Sequence, residues 1–355
     1  MPLQLSLFLW LTDISTVLRS TPFKILLLTQ PMHSVVDSAS PSMAHSLDQP
    51  SVRFRNAARR GDFLVTAEVM PPKGGNPAHM VQMAELLRDR VHAVNITDGS
   101  RAVLRMSSLA ASAILQQKGI EPIYQVACRD RNRIGLQADL MGAHALGIRN
   151  VLALTGDPVK AGDHPEAKSV YDLESVRLLR LINQMNHGLD SNQKKLTDGA
   201  TELFVGAAVD PQSRSWSGLQ RRFERKLEAG AQFFQSQLIS DFERLSKFMD
   251  QVAVGCDRPI LAGIFLLKSA KNARFINRCV PGVQIPDTII DRLEKAENPL
   301  QEGVVIAAEQ VKMARELCQG VHMMAVRRED LIPDILDRAG IDLSAPSPTA
   351  SSLRR

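Results

Sequence analysis

The sequence predicts an α/β protein, a (β/α)8 barrel, from three observations. Apolar runs rich in β-formers alternate with amphipathic helical stretches from Phe63 to Ala339. The first four runs start at Phe63, His92, Glu121 and Asn150, 29 residues apart each time, a spacing that suits one strand, one helix and two short loops. Nearly every run closes on a polar or charged residue, and the C-terminal ends of barrel strands are where chemistry gathers. Eight such units occupy about 280 residues, a typical barrel length. A doubly wound open sheet is the alternative, but EVMPPKGG after the first run is not the GxGxxG that such a sheet usually carries there.

The elements follow in order. FLVTAEV carries Glu68 near its end, and Pro71 and Pro72 stiffen the loop beyond it. The stretch Ala78 to Arg88 places Met80, Met83, Ala84 and Leu87 on one helical face. HAVNIT ends in Thr97 and Asp98, EPIYQVA contains Gln125, and NVLALT leads into Thr155, Gly156 and Asp157. A helix is expected over Leu173 to Met185. LFVGAAV then ends at Asp210, FFQSQL holds Gln235 and Gln237, and PILAGIFLL stops at Lys268. A helix over Val304 to Leu317 precedes VHMMAV, which meets Arg327 and Arg328, and LIPDILDRAG supplies the closing helix. The longest insertions, Pro158 to Thr201 and Ser269 to Gly320, follow the fourth and seventh strands, which puts them at the active face of a barrel.

Composition bounds the function. The 355 residues are 44% hydrophobic and 23% charged, ordinary globular material, and the barrel is expected over 53–343. The net charge of +5 hints at anionic ligands. Lys and Arg are nonetheless dispersed and aromatics make up only 5%, which argues against a nucleic-acid platform. Cys128, Cys256, Cys279 and Cys318 form no CxxC pair, so neither a disulfide framework nor a zinc site is expected, and a reducing cytoplasm fits. His79, His164 and His322 lack ligand spacing and read as surface or core histidines, with no metal. In residues 1–52, LQLSLFLWL is too short to span a bilayer and has no basic segment before it. A non-native or upstream-extended start is expected there, with Met32 and Met43 as candidate true starts and a weak signal peptide as the alternative. No membrane association is expected, and 344–355 read as a disordered tail.

Several residues invite chemistry. An apolar wall around Glu68 would raise its pKa and suit a general acid; its rival role is an ion pair with a Lys or Arg at the barrel mouth. Asp157 either accepts hydrogen bonds from a heterocycle or caps the turn after Gly156, and both readings stay open. Gln237 offers a donor and an acceptor to a planar ring, and alternation alone leaves Gln235 equally eligible. CRDRNR, Cys128 to Arg133, is either a phosphate or carboxylate clamp or a solvated loop.

These residues resemble the methylenetetrahydrofolate reductase family over Phe63 to Ala339. AEVMPPKG, LALTGDP, KLEAGAQFFQSQ, AGIFLLKSAKNARF and GVHMMAV are similar to five family motifs, in the family's order. The resemblance implies a flavin-dependent barrel of the compact bacterial type that reduces 5,10-methylenetetrahydrofolate to 5-methyltetrahydrofolate with NADH or NADPH. By position, Glu68 resembles the acid that opens the substrate's five-membered ring. Asp157 matches the aspartate that meets the pterin, Gln237 the folate-binding glutamine chosen over Gln235, and Asn272 a second folate-contacting amide. Thr97, Gln125, Gly156, Asp157, Asp210 and Lys226 fall at or beside flavin positions, with Lys226, Arg222 and Arg225 able to neutralise phosphates. Thr155 stands where many members have Arg, Gln125 where His is frequent, and Gln-Leu-Ile where Gln-Phe-Phe is usual. These departures lie on the flavin side and leave FAD, FMN or no flavin as alternatives. A folate-binding methyltransferase-type barrel or accessory subunit is the competing reading, and the chain is expected to form a homo-oligomer or to work with a partner subunit.

Overall fold

The structure, a computed structural model, describes residues 53–280 and 282–343. The readings made for 1–52 and 344–355 lie outside the described residues. The first element is α1 (Arg53–Arg60), followed by β1 (Leu64–Val69), α2 (Ala78–Leu87), β2 (Ala93–Ile96), α3 (Ser108–Gln117), β3 (Pro122–Ala127) and α4 (Arg133–Ala145). The chain continues through β4 (Asn150–Leu154), α5 (Ser175–Asn186), β5 (Phe204–Val209), α6 (Trp216–Glu228), β6 (Phe233–Leu238), α7 (Phe242–Gln251) and β7 (Ile260–Phe265). After β7 come α8 (Ala270–Cys279), α9 (Asp287–Lys295) and α10 (Pro299–Leu317), then β8 (Gly320–Met324) and α11 (Ile332–Arg338). The eight strands are parallel and close in chain order, with Leu64 beside Gly320 and Thr66 beside His322 at the seam.

Alternation along each strand divides its side chains. Outward residues such as Val65, Ala67, Val94, Val151, Val205 and Ile264 pack against the helices in the main core. Inward residues form layers. The lowest layer joins Leu64, Ala93, Ile123, Leu152, Phe204, Phe233 and Leu261. Gly206 makes this packing possible, because a Cβ there would sit 2.3 Å from the Phe233 ring.

Helix α1 closes the lower end and was not legible in advance. RFRNAARR offers only Phe54 and Ala57 as buried apolar positions. Phe54 is fully buried, edge-on to Phe233 at 5.1 Å and to Phe204 at 5.9 Å. The Arg53 and Phe54 amides donate to the Glu121 carboxylate at 2.7 and 3.2 Å, which also accepts from Asn150 Nδ2 at 2.8 Å. A carboxylate at a helix N-terminus satisfies orphan N–H groups and complements the helix dipole. Beside it, buried His92 accepts a hydrogen bond from the Val65 amide on Nδ1 at 3.0 Å. Burial lowers the His92 pKa to about 4, helped by Arg53.

The two long insertions differ. The first carries α5 and a small turn with an antiparallel bridge between Leu189 and Lys195. The second folds α8, α9 and α10 over a cluster of their own that includes Ala273, Ile276, Ile290, Leu293 and Ile306. Helix α10 begins five residues before the expected Val304, because Asn298 caps it by accepting from Gln301 N at 3.2 Å and Pro299 opens the first turn.

Candidate active site at the barrel mouth

Above the aromatic layer, the inward positions turn polar. Gln235 Nε2 donates to Thr66 Oγ1 at 3.1 Å, and Thr66 Oγ1 lies 3.0 Å from His322 Nδ1. Asn95 Nδ2 approaches the same ring nitrogen at 3.3 Å, while Asn95 Oδ1 accepts from Gln125 Nε2 at 3.4 Å. Five neutral side chains from β1, β2, β3, β6 and β8 thus form one network. It fixes the histidine tautomer: an amide N–H can only donate, so Nδ1 is the acceptor and the ring proton sits on Nε2. That nitrogen faces Glu68, 4.0 Å from Oε2.

Glu68 rides on top of this network, its side chain 18% exposed. The ion pair with Lys or Arg that rivals its role as an acid is not formed among the described residues. Among the described residues the charged-group neighbour within pairing distance is His322. His322, read as a surface or core histidine, is both core and site. The readable signal was alternation: Thr66 and Glu68, Asn95 and Thr97, and Gln235 and Gln237 are each two apart on one strand face.

Gln235 and Gln237 are also separated. Gln235 is buried within the network, and a register shift between Gln235 and Leu238 leaves Gln237 exposed. The Gln237 amide makes no side-chain hydrogen bond among the described residues. Asn272 is less free: its Oδ1 accepts from Lys268 N at 3.2 Å, and its backbone N–H donates to Ser269 Oγ, the cap of α8. Lys268 Nζ donates to Val326 O at 3.3 Å, tying the segment after β7 to the segment after β8.

Asp157 accepts from the Arg101 amide at 2.7 Å, so it caps a neighbouring loop as well as lying at the exposed rim. That loop is strained, with Arg101 and Ala102 at φ 58° and 55°. Gly162 allows it to lie close, since a Cβ there would fall 1.8 Å from Ala102 O. Tyr171 Oη donates to Asp157 O at 2.9 Å, and Asp163 binds Lys73 at 2.6 Å and Leu104 N at 2.9 Å, pinning three loops together. The side-chain bonds of Lys73 and His164, with the Leu104 amide, hold the Asp163 carboxyl well below the usual range.

The arginines of CRDRNR, open between an anion clamp and a solvated loop, are paired within the protein. Arg129 holds Asp130 and Gly99 O, Arg131 holds Asp98 and Asp139, and Arg133 holds Asp172. These arginines brace loops, because acids within bonding reach already satisfy them. Asp98, at the end of the second strand run, is used the same way and also accepts from Ala127 N at 2.8 Å.

The β2 to β5 side of the mouth offers groups that fit a flavin. Thr97 Oγ1 is buried without a hydrogen-bond partner among the described residues. Gln125 is buried, and Gly156 lies where a Cβ would press on Arg129 and Ala127. Lys226 Nζ donates to Ala208 O at 2.6 Å. Burial lowers its pKa to about 8, and Arg222 adds to the fall. Burial raises the Asp210 pKa. A half-buried ammonium whose hydrogen bond is to a carbonyl has capacity for an anion. A cavity of about 450 Å³ beside β4 is lined by Thr155, Gly156, Tyr171 and Glu174. Thr155 itself accepts from Ser175 N at 3.1 Å and so anchors α5. No group of His, Cys, Asp or Glu among the described residues is arranged to hold a metal. No helix among them is long and apolar enough to cross a membrane.

A probable methylenetetrahydrofolate reductase (NADPH) of Caenorhabditis elegans is 26% identical over 246 residues, covering 67% of this chain and 35% of its own length. The chain thus spans about a third of that relative. The 5,10-methylenetetrahydrofolate reductase of Escherichia coli is 24% identical over 312 residues, covering 84% of this chain and 98% of the relative. Among solved structures, an uncharacterized protein from Clostridium thermocellum that binds two copies of 5-methyl-5,6,7,8-tetrahydrofolic acid superposes with a TM-score of 0.56 at 13% identity. It covers 82% of this chain and 100% of that one, a likeness of fold. The model of the methylenetetrahydrofolate reductase family matches residues 53–340, the whole barrel, and the chain belongs to that family.

Proposed function

We propose that the chain reduces 5,10-methylenetetrahydrofolate to 5-methyltetrahydrofolate at the barrel mouth, with NAD(P)H as electron donor. The carrying observation is Glu68. Its carboxyl sits half-sheltered over a neutral network, without a lysine or arginine partner among the described residues. Its proton can therefore go to a ligand rather than being displaced by a fixed cation. His322 Nε2–H stabilises the carboxylate left behind, and the Asn95–Thr66–Gln235 bonds hold that ring in place. The acid's target is the ring nitrogen of the folate's five-membered ring, where protonation opens the ring toward the carbon to be reduced. Asp157 and Gln237, both at the open rim, supply the acceptor and the amide that would orient the pterin, with Asn272 in a supporting place on α8.

The flavin in this reading is FAD, bound along Thr97, Gln125, Gly156, Asp210, Arg222 and Lys226. When bound it supplies the hydride, relayed from NAD(P)H. Lys226 and Arg222 carry the positive charge for its phosphates, and Thr97 Oγ1 would gain the hydrogen-bond partner it lacks. Four free thiols suit a cytoplasmic enzyme.

Glu68→Gln keeps the shape and removes the proton. It is expected to slow oxidation of the reduced protein by methylenetetrahydrofolate by about 10³-fold, within the range of general acid catalysis. Reduction of the flavin by NAD(P)H should persist. Loss of both half-reactions would make Glu68 structural. A colourless protein that takes up neither FAD nor FMN would instead favour a folate-binding barrel without redox chemistry.

A further inference from the structure

Arg129 is the buried arginine of CRDRNR, its side chain 6% exposed, and the chemistry at the mouth does not use it. A guanidinium out of water is costly unless its donors are satisfied. Nε and Nη2 donate to the Asp130 carboxylate at 2.9 and 2.7 Å, and Nη1 donates to Gly99 O at 3.1 Å. Asp130 is the next residue in the chain, so that pair joins nothing distant. The bond to Gly99 O crosses from the segment after β3 to the segment after β2.

The fit around this side chain is close. Gly99 and Gly156 both take positive φ, 56° and 92°. A Cβ on Gly99 would fall 2.6 Å from Arg129 Nη2, and one on Gly156 would fall 3.0 Å from Arg129 Cβ. The head of Arg129 therefore lies against the segment after β2, and its stem against the segment after β4. Its carbonyl accepts from Val170 N at 2.7 Å, further along the β4 insertion.

Gly99 O also accepts from Ala102 N at 2.8 Å, closing the turn in which Arg101 and Ala102 take φ 58° and 55°. Left-handed backbone at residues other than glycine is strained and persists only where neighbours hold it. Arg129 is such a neighbour. The same turn presents the Arg101 amide to Asp157 Oδ2 at 2.7 Å. Asp157 Oδ1 accepts no hydrogen bond among the described residues. Arg129 thus reaches Asp157 by two routes: through the turn and its Arg101 amide, and through Gly156, the residue before it.

We propose that Arg129 is a positioning residue for folate binding: by holding the strained turn closed, it commits Asp157 Oδ2 to the Arg101 amide and leaves Oδ1 for the pterin. This rests on the reading of Asp157 as the pterin's acceptor. A relaxed turn would withdraw the Arg101 amide and free the carboxylate to rotate. Binding would then carry an ordering cost that the fold otherwise meets.

Arg129→Met keeps the stem and removes every donor, whereas Arg129→Lys keeps the charge but cannot hold Asp130 and Gly99 O together. The probe is 5-methyltetrahydrofolate, titrated into the full chain. Its Kd should rise about tenfold in Arg129→Met, in the range of coupling between sites, and less in Arg129→Lys. The folate half-reaction at saturating substrate should stay within about twofold of the parent, a change in KM rather than kcat. In an Asp157→Ala background, Arg129→Met should add almost nothing, since the group it positions is gone. Amide exchange at Arg101 should quicken about tenfold in Arg129→Met while strand amides of the barrel keep parent rates. Gly99→Ala, whose Cβ would meet Nη2, disturbs the same contact from the other side and should match Arg129→Lys, which keeps the question measurable if Arg129→Met does not fold. Unchanged affinity for 5-methyltetrahydrofolate, losses that add in the double variant, or faster exchange throughout the barrel would each overturn the proposal. If Asp157→Ala itself bound 5-methyltetrahydrofolate as the parent does, the reading of Asp157 would fail instead.

Discussion

At the lower end of the barrel, Phe54, Phe204 and Phe233 meet edge-on and stacked, with centroids 5.1 to 5.9 Å apart. Two residues beyond Leu64, Ala93, Ile123 and Phe233 of that layer, Thr66, Asn95, Gln125 and Gln235 take the next inward positions, joined by His322 from β8. The lower layer needs only shape to be stable, since apolar contacts are non-directional. The upper layer needs direction as well, and leaves Thr97 Oγ1, Gln235 Oε1 and Glu329 Oε2 buried without partners among the described residues. Such unmet groups lower stability and are what a ligand can satisfy. The contrast teaches that one barrel can be held from below while its mouth is kept ready for a ligand.

The largest effect on that contrast should come from below. Phe54→Ala removes a fully buried ring from a site closed by α1 and should cost about 4 kcal/mol. Denaturant unfolding would show it as a lower midpoint with an unchanged slope. Flavin content and both half-reactions at low temperature should stay near the parent values. Activity that fell before stability did would mean the two layers are coupled.

Second comes a pH effect at the same end. His92 accepts from Val65 N and so must be neutral to keep its bond. Its pKa falls from 6.5 in the unfolded chain to about 4 in the fold. The unfolded chain therefore binds the extra proton first, and stability drops as pH falls from 6.5 towards 4. The full loss is about 3 kcal/mol at 1.36 kcal/mol per unit. Above 6.5 the contribution is flat. His92→Asn can still accept through Oδ1 but cannot protonate, and its unfolding midpoint should lose this acid dependence. An equal acid sensitivity in the variant would place the titrating group elsewhere.

What was legible in the sequence follows the same division. Periodicity reports which face is buried, so the strands and their order could be read from runs such as NVLALT. Helix α1 was not read, because its three apolar residues, Phe54, Ala57 and Ala58, keep helical spacing over little more than one turn among four arginines, too short a run to stand out. At the mouth, Glu68 stood out as a charge inside an apolar run. His322 did not, because its importance lies in what β8 brings next to β1, and contacts between distant segments leave no local trace. The two readings of the CRDRNR arginines stayed open for the same reason: the acids that pair with them, Asp98, Asp139 and Asp172, are supplied by other segments or a later turn.

The smallest expected effect sharpens the comparison most. Gln235 makes one hydrogen bond, from Nε2 to Thr66 Oγ1 at 3.1 Å, and keeps Oε1 buried and unmet. Gln235→Met has nearly the same volume and loses about 1 kcal/mol of hydrogen bonding, but it also removes a carbonyl whose burial costs about 1–3 kcal/mol. The two nearly cancel, so the unfolding free energy should stay within about 1 kcal/mol of the parent or rise slightly. Thr66, no longer receiving that bond, would hold His322 less firmly, and the folate half-reaction should slow while flavin reduction does not. A methionine that cost as much as the lost phenylalanine ring would show that Oε1 is fully satisfied in solution. The mouth would then be as completely built as the floor, and the division drawn between them would not stand.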